Sequence, residues 1–231
     1  METTVRVFQE RLDRVRRMVA EACARSGRSP EAVRLVGVTK TVGPSAVPAL
    51  LEAGVREFGE NRWQHARELL EAPGAGDAVW HFIGHLQSNK AKYVVRHFDW
   101  IHSVDSLALA QEISRQAIRY GRTVQVLIQV NVSGEETKSG IPPEEAIPLL
   151  RETASLPGLA LRGLMTMAPK TEDPERVRPV FARLRELLAE ARHELGDPGL
   201  TELSMGMSDD FPIAVEEGAT LIRVGRLLMG T

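Results

Sequence analysis

The sequence lacks most of the features that mark secreted, membrane or nucleic-acid-binding proteins. It has a single cysteine, Cys23, so an intramolecular disulfide is excluded. No apolar run approaches the roughly 20 residues that span a bilayer, and no N-terminal stretch has the layout of a secretory signal. Lys plus Arg number 29 against 31 Asp plus Glu, so no basic surface for nucleic acid or anionic lipid is indicated. We therefore expect a cytoplasmic protein that binds neither nucleic acid nor membrane.

The common motifs of phosphate, dinucleotide, hydrolase and metal sites are missing as well. There is no G-x-G-x-x-G after an early strand, no Walker loop, no G-x-S-x-G and no H-E-x-x-H. His81 and His85 are four residues apart, but in an extended strand that spacing spans roughly 13 Å, too far for a shared ion. The cluster Ser208, Asp209 and Asp210 is more typical of a helix N-terminus than of a metal site. We expect no bound metal.

The first segment predicts an amphipathic helix over residues 3–26, ended by Gly27. Its arginines alternate with acidic residues, which indicates a solvated helix face rather than a basic patch. The opposite face carries apolar residues at spacings of three and four: Val5, Phe8, Leu12, Val15, Met18, Val19, Ala22 and Cys23.

Beyond Pro30, eight short β-rich runs alternate with longer amphipathic runs. Such alternation predicts parallel strands with crossover helices, and eight units close a (β/α)8 barrel. An open doubly wound sheet is the alternative fold, but its dinucleotide motif is absent. The predicted strands are 33–39, 56–60, 80–84, 100–104, 124–132, 159–167, 201–206 and 220–225. The predicted helices are 44–53, 61–71, 87–97, 106–120, 143–154, 174–195 and 208–217.

The 231 residues fit one domain, 1–231, made of the N-terminal helix and a barrel over 33–230. The Pro/Gly-rich piece 71–78 is short and falls between a helix and a strand, so it does not divide the chain. In α/β barrels the active face is built where the strands end. Polar residues follow the predicted strands at Thr39, Lys40, Glu60, Asn61, His85, Ser103, Asp105, Asn131, Ser133, Lys138, Thr166, Ser204 and Arg223.

Lys40 ends the apolar run "LVGVTK" and is the most informative of these residues. A lysine beneath a barrel mouth is partly desolvated, which favours the neutral amine that can form a Schiff base with a carbonyl. The alternative is a lysine that reaches solvent or pairs with a carboxylate.

A phosphate site is indicated near the eighth strand. In barrels, phosphates often bind to main-chain N–H groups of the loops after strands seven and eight. Gly225 and Gly230 suggest close backbone approach there, and Ser204 could add a hydroxyl donor, although Gly225 alone could be a turn glycine.

The motifs, taken in order, resemble the pyridoxal phosphate homeostasis protein family, whose barrel is similar to the N-terminal domain of alanine racemases. The resemblance covers residues 30–230 and implies pyridoxal 5′-phosphate (PLP) held as a covalent aldimine at Lys40. It is carried by "VGVTKT", "FGENR", "HFIGHLQSNK", "QVNVSGEETKSG", "GLMTMAP", "LSMGMSDDF" and "IRVGRLLMG".

The resemblance also implies the cofactor contacts. Ser204 and the backbone at Gly225 and Arg226 would hold the phosphate, and Arg223 would face the pyridine nitrogen. Met167 falls where alanine racemases place a histidine against the ring. Three further residues lie in family motifs near the barrel mouth: Asn61, His85 and Lys138.

This set of residues implies cofactor holding more than turnover. Arg223 would donate a hydrogen bond to an unprotonated pyridine nitrogen, so the ring would be a weak electron sink. Racemases add a tyrosine from a second domain, whereas Thr231 follows the eighth unit directly and Tyr93 and Tyr120 fall in predicted helices. The family role implies a monomeric protein that buffers PLP and supplies it to apo-enzymes. A single-domain amino-acid racemase and a cofactor-free Schiff-base aldolase are the alternatives.

Overall fold

The chain forms a closed barrel of eight parallel strands, seen in a computed structural model that describes residues 2–230. Each strand pairs with the next along the sequence, and β1 also pairs with β8, which closes the barrel. The predicted (β/α)8 fold is therefore confirmed. The strands are β1 (Arg34–Val38), β2 (Glu57–Glu60), β3 (Val79–Phe82), β4 (Trp100–Val104), β5 (Val124–Gln129), β6 (Leu159–Met165), β7 (Glu202–Ser204) and β8 (Leu221–Val224).

Helices follow the strands, and one helix precedes the barrel as predicted. All seven predicted crossover helices are present in the described chain, most of them shorter at one or both ends than predicted. The helices are α1 (Glu2–Ser26), α2 (Ala46–Glu52), α3 (Trp63–Leu70), α4 (Ala91–His97), α5 (Leu107–Tyr120), α6 (Pro143–Ala154), α7 (Arg178–Leu195), α8 (Phe211–Glu216) and α9 (Arg226–Met229). No helix within residues 2–230 combines the length and the apolar composition needed to cross a membrane.

Helix α1 packs its apolar stripe against the last helices of the barrel. Leu12, in the middle of the stripe, is 2% exposed. At the edge of this contact Arg11 donates to the carbonyl oxygen of Met229 at 2.7 Å, which satisfies an acceptor at the end of α9. Gly27 ends α1 with φ of 66°, a left-handed conformation that favours glycine. The apolar period of the sequence is thus the docking face of this helix.

Two separate apolar clusters stabilise the barrel. The larger one lies between the strands and the surrounding helices and includes Phe58, Phe181 and Phe211, all fully buried. The smaller one lies inside the barrel, where Val36, Trp100, Leu127, Met165 and Leu221 pack together. Buried polar side chains, among them His81, His102, Ser204 and Arg223, form the site described below.

Gly163 in β6 marks the closest approach between two strands. Its φ is 152°, and a Cβ atom there would overlap the carbonyl oxygen of Glu202 and lie 2.9 Å from the carbonyl carbon. The pairing of β6 with β7 therefore needs a residue without a side chain. Since β7 carries Ser204, this glycine helps to place a site residue.

Candidate functional site

Lys40 lies two residues beyond the end of β1, at the mouth of the barrel, and is exposed. Of the two alternatives that the sequence left open, a partly desolvated lysine or one that reaches solvent, this exposure favours the second. The chain leaves the barrel at Thr39, whose carbonyl accepts the N–H of Val42 at 3.0 Å in a tight turn. Lys40 is part of this turn, so its side chain starts outside the buried strand.

A buried carboxylate fixes the ends of β1 and β2 beside this turn. Glu60 is fully buried; its Oε1 accepts the hydroxyl of Thr39 at 2.5 Å, and its Oε2 lies 3.1 Å from Nδ1 of His65. Burial raises the pKa of Glu60, and the two hydrogen bonds oppose that shift. The sequence marked Glu60 as a polar strand end without giving it a role. The structure makes it the anchor of the backbone that leads to Lys40.

A continuous chain of polar side chains crosses the inside of the barrel. Arg223 Nη1 donates to Oγ of Ser204 at 2.6 Å, and the same Oγ lies 2.8 Å from Nδ1 of His102. Nε2 of His102 lies 3.0 Å from Nδ1 of His81. Nε2 of His81 then lies 2.9 Å from Oε2 of Glu57. Strands β2, β3, β4, β7 and β8 thus contribute one side chain each to a single line of contacts.

The contact between His81 and Glu57 differs from the others in the chain. The two atoms are within hydrogen-bond distance, but no well-formed hydrogen bond joins them, and neither atom has another hydrogen-bond partner within the described residues. Two lone pairs facing each other at this distance would repel, so a proton must lie between the atoms. The ring of His81 is held in place by Trp100, stacked at 5.6 Å between centroids.

Burial controls the charge of the side chains in this line of contacts. The pKa of His102 is well below its ordinary value, first through desolvation and then through His81 and the arginines. The pKa of His81 is lowered by burial as well, against the opposing effect of Glu57. Both rings are therefore neutral at pH 7. Burial also lowers the pKa of Arg223 to about 10, which still leaves it a cation.

Arg223 is a fully enclosed cation with neutral partners. Besides Ser204, its Nη2 donates to the carbonyl oxygen of Thr166 at 2.8 Å. The carboxylate of Asp210 acts on it only through its charge, without a hydrogen bond. The arginine therefore retains donors for a polar ligand group at this end of the barrel, because its five N–H groups exceed the two contacts it makes here.

The loop after β8 carries the predicted phosphate contacts. Gly225 has φ of −106° and precedes α9, whose first N–H groups have no acceptor within the helix. The side chain of Arg226 is exposed and paired with Asp209. As predicted, the acidic cluster stands at a helix start, but Asp210 accepts the N–H of Met207 at 2.6 Å instead of an N–H of α8.

The other predicted site residues follow strands β2, β3, β5 and β6. Asn61 is half-buried, and its backbone packs so closely on Gly84 that a Cβ there would lie 2.7 Å from its Cα. His85 is exposed, with Nδ1 3.6 Å from Oδ2 of Asp105, a carboxyl whose pKa burial raises. Met167 is 37% exposed, and Lys138 Nζ donates to the carbonyl of Ala168 at 3.3 Å.

All of these residues lie at the C-terminal ends of the parallel strands, the end that carries Lys40. Among the predicted cofactor contacts, direct side-chain hydrogen bonding is seen only between Ser204 and Arg223, within the part of the chain that the structure describes. The position of His102 in this site was not predicted from the sequence, and His81 was considered only as a metal ligand. The signal available was a single histidine within each of two neighbouring apolar strands, "WHF" and "WIHS".

Comparison with known proteins gives a consistent set of relatives. A family model described as "Alanine racemase, N-terminal domain" matches residues 11–231. The chain is 46% identical to the pyridoxal phosphate homeostasis protein of Aquifex aeolicus over 96% of both chains. The structure of PipY of Synechococcus elongatus with PLP bound superposes with a TM-score of 0.82 at 40% identity, covering 96% of this chain and 99% of PipY.

An alanine racemase of Clostridium difficile shares the fold alone. It is 17% identical, with a TM-score of 0.74 over 96% of this chain and 56% of the racemase. The match to the homeostasis protein of Aquifex aeolicus, in contrast, covers nearly the full length of both chains at 46% identity. The chain therefore belongs to the pyridoxal phosphate homeostasis proteins, within the broader family of the alanine racemase N-terminal domain.

Proposed function

We propose that this protein binds PLP at the mouth of its barrel and acts in PLP homeostasis, by holding the cofactor and passing it to apo-enzymes. The observation that carries the proposal is the buried pair of Ser204 and Arg223, placed at the same end of the barrel as Lys40. The named function of the Aquifex aeolicus relative and the PLP bound to PipY support it.

The residues fit the charge of the cofactor. A dianionic phosphate needs N–H and O–H donors, for which we propose the backbone N–H groups of the loop at Gly225 and Arg226, and the hydroxyl of Ser204 once it turns away from His102. The cofactor supplies an aldehyde, for which Nζ of Lys40 is the nucleophile that we propose for covalent attachment. The exposure of Lys40 suits exchange of the cofactor, because no buried lid has to open before PLP can reach the amine.

Arg223 supports holding over turnover. It donates hydrogen bonds and cannot accept one, so a pyridine nitrogen facing it stays unprotonated. A neutral ring withdraws electrons weakly, which disfavours reactions that need a carbanion. The tyrosines lie on outer helices: Tyr93 in α4 stacks on Trp63 at 5.4 Å, and Tyr120 ends α5. We therefore propose no role for either tyrosine as a second acid or base.

Mass spectrometry after borohydride reduction tests the cofactor and its attachment together. The protein incubated with PLP is expected to turn yellow and, after reduction, to carry one phosphopyridoxyl group on the peptide with Lys40. Lys40→Ala is expected to abolish the label, whereas Lys92→Ala, which removes an exposed lysine of α4, should keep it. Reduced wild-type protein without a label at Lys40 would overturn covalent attachment there.

Transfer and turnover are tested on the loaded protein. An apo-PLP enzyme mixed with it is expected to regain activity, and the yellow absorbance of the donor to fall in step. Loaded protein in deuterated water should leave the α-hydrogen of free alanine unexchanged. Exchange at a catalytic rate would instead favour the racemase alternative.

A further inference from the structure

The interior chain from Glu57 to Ser204 joins the two ends of the barrel. Ser204 lies at the mouth, while Glu57 lines a cavity of about 430 Å³ under α1. Glu57 also lies 3.7 Å from Arg34, which lines a second cavity of about 450 Å³ near the N-terminal ends of the strands. His81 and His102, between them, are fully buried. One end of this line of side chains therefore lies where the ligand is proposed to bind, and the other end lies next to cavities that are large enough for water.

The heavy-atom positions fix how many hydrogens the chain holds when both histidines are neutral. Arg223 can only donate, so Oγ of Ser204 accepts from it. We place the hydrogen between His81 and Glu57 on Nε2 of the ring, where it faces the carboxyl oxygen. Nδ1 of His81 is then an acceptor, Nε2 of His102 is its donor, and Nδ1 of His102 accepts the hydroxyl of Ser204. Each contact holds one hydrogen.

This arrangement leaves Ser204 without a hydrogen for a ligand. A phosphate monoester is a dianion above its second pKa of about 6, and its oxygens then only accept hydrogen bonds. A phosphate beside Ser204 would face an oxygen lone pair, which is repulsive. Its binding there requires the hydroxyl to turn, and then Nδ1 of His102 must donate instead of accept.

We propose that phosphate binding at Ser204 is coupled to the uptake of one proton by the line of polar side chains from Glu57 to Ser204. His102 is the positioning residue that turns the hydroxyl of Ser204. The inference rests on the proposed function, because it needs the phosphate at Ser204. The proton comes from solvent and makes His81 an imidazolium between Glu57 and His102. The tautomer of His102 then reverses, so that Nδ1–H points to Ser204 and the hydroxyl donates to phosphate. No other bond is made or broken.

Burial is the largest effect on both rings and favours their neutral forms, while the charged groups nearby act in both directions. Glu57 from β2 and Asp99 from the turn before β4 favour the imidazolium, while Arg34 from β1 and Arg223 from β8 oppose it. Glu202 from β7 is paired with Arg34 at 3.2 Å and weakens its effect. The inner residues of β5 and β6 nearest this level, Leu127 and Met165, are uncharged. A phosphate dianion adds two negative charges at the mouth and therefore favours the protonated form of the histidine pair.

The consequence is a pH-dependent affinity. Uptake of one proton weakens binding about tenfold for each pH unit of increase, in a range where the phosphate is already a dianion. The ligand for the test is pyridoxine 5′-phosphate, which keeps the ring and phosphate of PLP but has no aldehyde. Lys40 chemistry then cannot contribute to the pH dependence.

Titration calorimetry at about pH 8, in buffers of different ionisation enthalpy, counts the protons taken up on binding. We expect close to one proton for the wild-type protein and close to none for His102→Asn, whose amide can donate or accept without a change in charge. His193→Asn, at an exposed position on α7, is the matched control and should behave as wild type. Glu57→Gln removes the anion that holds the imidazolium and should reduce the uptake, which provides a second variant if His102→Asn does not fold.

The outcomes separate the two proposals. Wild-type binding without proton uptake, or equal uptake by wild type and His102→Asn, overturns the coupling and leaves PLP binding intact. Failure of the wild-type protein to bind pyridoxine 5′-phosphate, or unchanged affinity in Ser204→Ala, overturns the phosphate site itself. Uptake that disappears in His102→Asn while binding persists supports the proposed chain.

Discussion

Two buried serines offer a direct test of the interior hydrogen bonds. Ser103 in β4 and Ser204 in β7 are both completely buried. Oγ of Ser204 contacts Arg223 and His102, whereas Oγ of Ser103 has no hydrogen-bond partner within the described chain. Replacing each serine by alanine removes the same oxygen atom from two equally buried positions. The difference between the variants therefore measures the hydrogen bonds and not the burial.

The magnitude follows from the hydrogen bonds that each variant removes. Ser204→Ala removes one neutral hydrogen bond, about 1 kcal/mol, and one bond donated by a cation, about 1.5 to 3 kcal/mol. It also leaves Arg223 with only the carbonyl of Thr166. We expect Ser204→Ala to lower the free energy of unfolding by about 2 to 4 kcal/mol. Ser103→Ala removes no such bond and should change stability by less than about 0.5 kcal/mol or raise it, because an unsatisfied hydroxyl is removed.

Urea unfolding of the ligand-free proteins, followed by tryptophan fluorescence and far-ultraviolet circular dichroism, measures this difference. Equal denaturant slopes in the two variants would show that the same surface is exposed on unfolding. A Ser204→Ala variant as stable as Ser103→Ala would refute the reasoning, since the hydrogen bonds to Arg223 and His102 would then contribute no net stability.

Three further predictions concern the frame around the site. Gly163→Ala should lower the free energy of unfolding by several kcal/mol, because its Cβ would overlap the backbone of β7, while Gly76→Ala, with open space at its Cβ, should be neutral by urea unfolding. Asp210→Ala leaves the N–H of Met207 without its acceptor, so it should lower the free energy of unfolding by about 1 to 3 kcal/mol and weaken PLP retention. Asp209→Ala removes only an exposed ion pair and should change neither stability nor retention. Burial raises the pKa of Glu60 above 4.5, so the stability that this group contributes is complete below pH 4.5 and falls as the pH rises through the pKa of the folded state. In urea unfolding, the wild-type protein should therefore lose stability relative to Glu60→Gln as the pH is raised above 4.5. The opposite trend would contradict the raised pKa.

The strand count could be predicted because each strand is a short apolar run between amphipathic helices. Boundaries were less accurate where apolar residues continue past the sheet. The fifth strand was predicted to reach residue 132, but β5 ends at Gln129. Val130 forms only an isolated bridge to Ile141, and the chain then turns into a polar loop. Local residue preference does not show where the neighbouring strand ends and pairing stops.

The site was predicted unevenly for the same reason. Ser204 and Arg223 stand out in sequence because polar residues are unusual at the ends of buried strands. Their bond across β7 and β8, and the extension to His102 on β4, depend on which side chains share a level inside the barrel. Ser204 and His102 are 102 residues apart, so no local pattern relates them. The sequence left the exposure of Lys40 open, because it depends on a turn after the strand.

The polar interior of the barrel is costly, and its cost points to function. Barrel interiors are usually filled by branched aliphatic residues, and such packing is often as stable as a buried charge or more so. Here Arg223, His102 and His81 occupy that space at the expense of desolvation, which lowers the pKa of all three. The contact between His81 and Glu57 has no well-formed hydrogen bond and lies at the end next to a cavity of about 430 Å³, where a proton from solvent could enter. Stability alone does not explain a buried contact without a well-formed hydrogen bond at this place, whereas exchange of a proton with a ligand at the mouth does.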